Sequence, residues 1–212
     1  MEEFLQRRAE ITRNKILEIA EIEFSEKGFY GSRVDEIASK AGVNKALIYK
    51  YFGSKEELYE TIFSIVYERF SKLERQLISV EGLDFKSKMR RFVELDFLFL
   101  KENPTYVRML MWENLNNAKY YRKKNLGNTK SVILEGLEHL LDDARKEFDV
   151  PTEVNAKQIL LTIYGCGFNY FSNSATMMGF LGDDMMEDLI LKERIDSVVN
   201  MIMAYVSGGG CA

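Results

Sequence analysis

Apolar residues recur along most of the chain at intervals of three and four, the spacing of helices with one buried face, and two-residue alternation is scarce. Ile16, Ile19, Ala20 and Phe24 mark one face of a first helix over about residues 6–27, which Gly28 ends. Ser32 and Asp35 make a capping-box pattern before a short second helix, whose stripe is Val34, Ile37, Ala38 and Ala41 and which stops at Gly42. In the turn that follows, Gly42 suits positive φ and Asn44 suits the cap of a third helix over residues 45–52. Gly53 breaks the chain, and Ser54 with Glu57 forms a second capping box. It opens a long helix through Leu58, Ile62, Ile65, Val66, Phe70, Leu73 and Leu77 to about residue 80.

Beyond a loop at Gly82 the pattern predicts helices over residues 85–102 and 105–115, separated by Asn103-Pro104. Further helical stretches cover residues 120–148, 153–178 and 185–206, with a loop at 179–184 before the last. The expected fold class is all-α, a small three-helix N-terminal domain joined by a long fourth helix to a larger helical domain. Boundaries are expected at 1–55 and 56–207, with the glycine-rich residues 208–212 as a tail.

Composition narrows the chemistry. Cys166 and Cys211 lie far apart and His139 is the sole histidine, so neither a disulfide framework nor a zinc site is indicated. No nucleophile elbow, phosphate loop or HExxH pattern accompanies that histidine, which leaves no enzyme, cofactor or metal to expect. The charged start lacks a signal-peptide core and no apolar run is long enough to span a bilayer, so a cytoplasmic protein without a membrane partner is expected.

A net charge of −4 argues against indiscriminate coating of nucleic acid. The positive charge is clustered, however. No acid occurs between Ile37 and Lys55, where Lys40, Lys45, Lys50 and Lys55 recur, and Arg7, Arg8, Arg13 and Lys15 form a second group. Two short helices joined by a glycine turn and packed on a longer one are a helix-turn-helix, whose second short helix fits the DNA major groove. In that helix Val43, Ile48 and Phe52 are spaced to face the core. Lys45, Ala46, Leu47, Tyr49, Lys50 and Tyr51 are left outward, where they suit DNA better than water. A merely solvated lysine face is the alternative for any one lysine.

The run Gly28-Phe29-Tyr30-Gly31-Ser32-Arg33-Val34-Asp35-Glu36-Ile37-Ala38, continued by Lys40-Ala41-Gly42-Val43-Asn44-Lys45-Ala46-Leu47-Ile48-Tyr49-Lys50-Tyr51-Phe52 and Lys55-Glu56-Glu57-Leu58, resembles the N-terminal signature of the TetR (tetracycline-repressor) family. The resemblance implies that Lys45, Ala46 and Leu47 lie nearest base edges. It implies that Tyr49, Tyr51 and Lys55 hold phosphates, with Lys50 suited to either role. Ser32, Arg33 and Asn44 complete the candidate DNA-contacting set. Arg33 stands where the family usually has threonine or serine, and Asn44 where it often has serine; a guanidinium on phosphate would replace the lost hydroxyl.

The same resemblance implies a homodimer closed by the final two helices and an effector pocket among the middle ones. The stripes Ile195, Val198, Val199, Ile202, Val206 and Ile159, Ile163, Gly167, Tyr170, Phe171 suit a four-helix dimer interface or packing within one subunit. Candidate pocket residues are Phe92, Asp96, Phe99, Met109, Trp112, Glu113, Tyr164, Phe168 and Asn169, an aromatic wall with few polar groups. The implied function is a dimeric repressor released from palindromic operator DNA by a small, largely apolar or aromatic molecule, cationic if the acids Glu94, Asp96 and Glu113 face it. An activator, coactivator or nucleoid-associated factor of the same fold, without a small-molecule effector, is the alternative.

Overall fold

The computed structural model describes residues 2–77, 82–124 and 132–208, and among them all regular structure is helical. The helices are α1 (Glu2–Gly31), α2 (Val34–Ala41), α3 (Lys45–Phe52), α4 (Lys55–Leu77), α5 (Phe85–Glu102), α6 (Pro104–Leu115), α7 (Lys119–Lys123), α8 (Val132–Glu147), α9 (Ala156–Ser172), α10 (Ser174–Leu181) and α11 (Asp188–Val206). None of them is long and apolar enough to cross a membrane.

Two compact units divide the chain. The first takes in Met1–Arg69 and Thr105–Leu126, so α6 and α7 belong with the helix-turn-helix. Ile16, Ala20 and Phe24 of α1 are buried, as are Val34, Ile37, Ala38 and Ala41 of α2, Ile48 and Phe52 of α3, and Leu58, Tyr59, Ile62, Phe63 and Val66 of α4. Burial of such side chains, each worth about 1.5–3 kcal/mol, is what orders these short helices. Val43, expected inward, is only half-buried.

Gly28 ends the regular part of α1 with φ 66 and ψ 178, a conformation open essentially to glycine alone. A Cβ there would stand 2.8 Å from Cδ2 of Trp112, whose Nε1 donates to the Ser25 carbonyl at 3.1 Å. Below this contact the buried Glu113 carboxylate accepts from Tyr59 Oη and from the backbone N–H groups of Tyr120 and Tyr121. Phe24 and Phe29 each meet the Tyr59 ring edge to face, and Tyr120 packs at a tilt against both Phe29 and Tyr59. Burial first, and then the Glu113 charge, holds the Tyr59 phenol far above its ordinary pKa.

The second unit comprises Phe70–Pro104 and Gly127–Ala212. Its core is built from α5, α8, α9 and α11, with Phe97, Met89, Ile133, Ile163, Val198 and Val199 almost wholly enclosed. A Cβ on Gly167 would fall against Asp96 Oδ2 and 3.1 Å from Leu100 Cδ1, so the bare backbone lets α9 approach α5 closely. The two stripes weighed as a dimer interface are spent in this core: Ile159, Ile163, Gly167 and Tyr170 of α9, and Ile195, Val198, Val199, Ile202 and Val206 of α11, are buried within one chain. That leaves the packing-within-one-subunit alternative, because periodicity reveals a buried face and not what buries it.

Several boundaries differ from expectation, among them the start of α1, at Glu2 rather than about residue 6. The stretch expected over 153–178 is broken at Asn173 into α9 and α10, and the last helix begins at Asp188 rather than 185. The stretch expected over 120–148 contains α7 and α8, and residues 125–131 between them, like residues 78–81 and 209–212, lie outside the described residues.

Gly28→Ala is expected to destabilise the first unit by at least about 2 kcal/mol, through the strained φ and the indole it would strike. Urea unfolding checks this; a loss below about 0.5 kcal/mol would remove Gly28 and Trp112 from the account of this packing.

Candidate nucleic-acid interface

Local chemistry fixes α2 and α3. Gly42 closes α2 in the left-handed region (φ 69, ψ 34), the Gly42 N–H bonds to the Ser39 carbonyl and the Val43 N–H to that of Ala38. Asn44 then caps α3, its Oδ1 accepting from the Ala46 N–H at 2.9 Å. Asn44 is itself exposed. Gly53 ends α3, and the Ser54 hydroxyl oxygen accepts from the Glu57 N–H at 3.1 Å to begin α4; the other half of the expected capping box does not form, since the Ser54 N–H bonds to the Phe52 carbonyl and Glu57 Oε2 accepts from the Ser54 hydroxyl.

The expected capping box before α2 does not form. Arg33 is the N-cap, in extended conformation and without a side-chain cap bond, while Ser32 is buried and shares its hydroxyl hydrogen between the Glu23 and Gly28 carbonyls. Asp35 instead accepts from Lys45 at 2.9 Å. A serine hydroxyl turned onto α1 ties the turn to that helix and is not offered to a phosphate.

With Ile48 and Phe52 inward, α3 presents Ala46, Tyr49 and Lys50 to solvent, with Lys45, Leu47 and Tyr51 partly exposed beside them. Lys45 is held by Asp35, a bond that raises the lysine pKa, but the pair stands in water and breaks at little expense when a stronger anion arrives. Its Nζ also lies 6.0 Å from the Tyr49 ring centroid. Arg33 is exposed at the entrance to α2. Lys55, expected on phosphate, is turned inward: Nζ donates to the Ser32 carbonyl at 2.6 Å and lies 4.7 Å from the Phe29 ring centroid, and burial lowers its pKa.

Sequence reasoning missed Glu23. Its carboxylate is fully buried and pairs with Lys27 and Lys40, each at 2.6 Å, and Lys27 also pairs with Glu36. The available signal was its place on the apolar stripe of α1, between Ala20 and Phe24. Burial alone would raise its pKa, yet the hydrogen bonds from Lys27 and Lys40 outweigh that and hold it at about 2.

The candidate pocket residues fall into two groups. In the second unit Phe92, Asp96 and Phe99 are buried on α5, Phe92 lies 6.2 Å from Tyr164 between ring centroids, and Phe70 lies 5.4 Å from both Phe99 and Tyr164. Phe168 is half-buried and Asn169 exposed on α9, about one and two residue steps around the helix from Gly167, which faces Asp96. Met109, Trp112 and Glu113 belong to the first unit, where packing and hydrogen bonding account for each. A shallow groove runs along α11, lined by Glu193, Asp196, Ser197, Asn200, Met201 and Ala204.

Known proteins share this pattern. The family model described as "Bacterial regulatory proteins, tetR family" matches residues 16–62, and that described as "Tetracyclin repressor-like, C-terminal domain" matches residues 86–202. The chain is 28% identical over 180 residues to the HTH-type transcriptional repressor NicS of Pseudomonas putida, covering 84% of each. Among solved structures it is similar to a TetR transcriptional regulator from Chloroflexus aurantiacus, with TM-score 0.68, 16% identity and coverage of 94% of this chain and 98% of that one. It is also similar to the regulator FadR from Bacillus subtilis in complex with stearoyl-CoA, with TM-score 0.63, 20% identity and coverage of 92% and 98%.

The Glu23 carboxylate gives a pH prediction. Its folded-state pKa of about 2 lies below the ordinary 4.5, so its stabilisation is complete above about pH 5 and is lost as pH falls from 4.5 toward 2. Glu23→Gln is expected to lower stability at pH 7 and to flatten this acid limb in chemical denaturation; an acid limb unchanged by the substitution contradicts the ion-pair assignment.

Proposed function

This chain belongs to the TetR family of bacterial regulatory proteins, and on that premise we propose that α3 enters the major groove of a palindromic operator, one copy from each protomer of a dimer. It is a DNA-binding transcriptional regulator. One observation carries the proposed docking: α3 commits only Ile48 and Phe52 to the core and turns a polar, aromatic and basic face outward. Lys45, Ala46 and Leu47, at the start of the helix, meet base edges, where an alkyl side chain reads a thymine methyl and an ammonium a guanine acceptor. Tyr49, Lys50, Tyr51, Asn44 and Arg33 take phosphates and set the register. Ser32 and Lys55 act one step back, holding the α1 end, the turn and the start of α4 in a single frame.

Dimerisation uses the faces of α9 and α11 that the core leaves open, where Leu161, Met201 and Tyr205 are exposed and the α11 groove lies. The effector is a largely apolar or aromatic molecule held in the second unit against Phe92, Phe99 and Tyr164, with Asp96 as the acidic group among them. It acts by favouring dimers whose two α3 helices no longer match successive turns of the groove, which releases the operator, and operator binding weakens effector binding to the same degree.

Selection of bound duplexes from a random DNA pool tests the docking. A symmetric consensus with half-sites about one helical turn apart, or a multiple of it, is the expected result, and recovery of no enriched sequence would refute it. Arg33→Ala is expected to weaken all duplexes alike and to lower the slope of log affinity against log salt by about 1. A changed base preference in that variant would place Arg33 on a base instead.

A further inference from the structure

Two acids, Asp35 and Glu36, occupy the first turn of α2, where both suit the positive end of that helix. Their side chains turn to different neighbours. Glu36 pairs with Lys27 of α1, whereas Asp35 reaches across the turn to Lys45, the first residue of α3, at 2.9 Å. The Lys45 ammonium also lies 6.0 Å from the centroid of the Tyr49 ring, one turn further along α3. It is thereby held on the outer side of the helix, between a carboxylate and a ring.

Other lysines of the helix-turn-helix are held differently. Lys40 pairs with the fully buried Glu23, and Lys55 donates to the carbonyl of the buried Ser32. The Asp35 side chain is 69% exposed and that of Lys45 43%, so their bond is open to solvent and to a third group. An ammonium carries three donor hydrogens, and one placed on Asp35 leaves two for another acceptor. Helix stability does not by itself call for this carboxylate, because Glu36 beside it supplies first-turn negative charge. On the face proposed to meet DNA, moreover, an acid repels the phosphates.

We propose that Asp35 is a specificity-determining residue, which positions the Lys45 ammonium for a guanine edge and withholds it from phosphates. On a sequence that α3 does not fit, Lys45 gains a phosphate only by leaving Asp35, whose charge then stands unneutralised beside the DNA backbone. On the matched sequence the ammonium bridges Asp35 and guanine O6 or N7, and the pair persists. The non-specific complex is weakened and the specific one is not. This role rests on the proposed docking of α3 and deepens it, since discrimination then depends on a residue of α2 as well.

The test uses the full chain, a duplex recovered by selection, a random-sequence duplex of equal length, and fluorescence anisotropy between about 50 and 200 mM salt. Asp35→Asn removes the charge and keeps the side-chain shape. It is expected to tighten binding to the random duplex and steepen its salt slope by about 0.9 per protomer, as Lys45 takes a phosphate. The variant's advantage there shrinks about threefold per protomer across that range. The slope on the selected duplex stays the same, and the ratio of selected to random affinity falls. In a Lys45→Ala background the same substitution leaves that ratio unchanged. An equal gain on both duplexes, a ratio change that survives Lys45→Ala, or a loss of urea stability with the ratio unmoved would each overturn the role of Asp35 and leave α3 docking intact. A wild-type chain that enriches no sequence overturns both.

Discussion

An eight-residue helix is too short to persist in water, so α3 owes its shape to the two side chains it buries, Ile48 and Phe52, and to the Asn44 cap at its start. The same two anchors decide its rotation about its own axis. Because they occupy the inner face, Tyr49 and Lys50 have nowhere to go but outward, and the chemistry presented to a partner follows from the packing. Gly42 and Gly53 make this possible at the two ends, since each takes a positive φ that lets the chain turn within one residue.

Charge is arranged around that frame with restraint. The buried Glu23 carboxylate pairs with the solvent-exposed side chains of Lys27 and Lys40, and Asp35 pairs with Lys45, so the lysine-rich segment is partly neutralised before any DNA is present. In an acidic chain this limits attraction to any polyanion and shifts discrimination toward contacts made only on the right sequence. Glu113 plays a comparable part deeper in the first unit, where a buried carboxylate accepting from Tyr59 and two backbone amides joins α4, α6 and α7.

The elements whose signals are local were legible in the sequence. Gly42, Asn44, Gly53 and Ser54 set the ends of α2, α3 and α4 through bonds within a few residues, and α3 runs over the range predicted for it. Features that depend on distant partners were not. Ser32 has the spacing of a cap, but the Glu23 and Gly28 carbonyls draw its hydroxyl the other way. Lys55 looks like a phosphate ligand until the Ser32 carbonyl and the Phe29 ring are placed beside it. The α9 and α11 stripes announced burial without naming the neighbour, and the break at Asn173 lacks proline or glycine to mark it. Trp112 and Glu113 were expected in a pocket by residue type, and their partners, the Ser25 carbonyl, the bare backbone of Gly28 and the tyrosine amides, were not visible in the sequence.

The central claim, that α3 reads the major groove, is tested most directly by methylation interference on a bound operator, since guanine N7 lies in that groove and adenine N3 in the other. Two patches of N7 interference about one helical turn apart, or a multiple of it, are predicted, each patch lost to Lys45→Ala on its own half-site. Interference confined to adenine N3, or a bound operator indifferent to N7 methylation throughout, would contradict it.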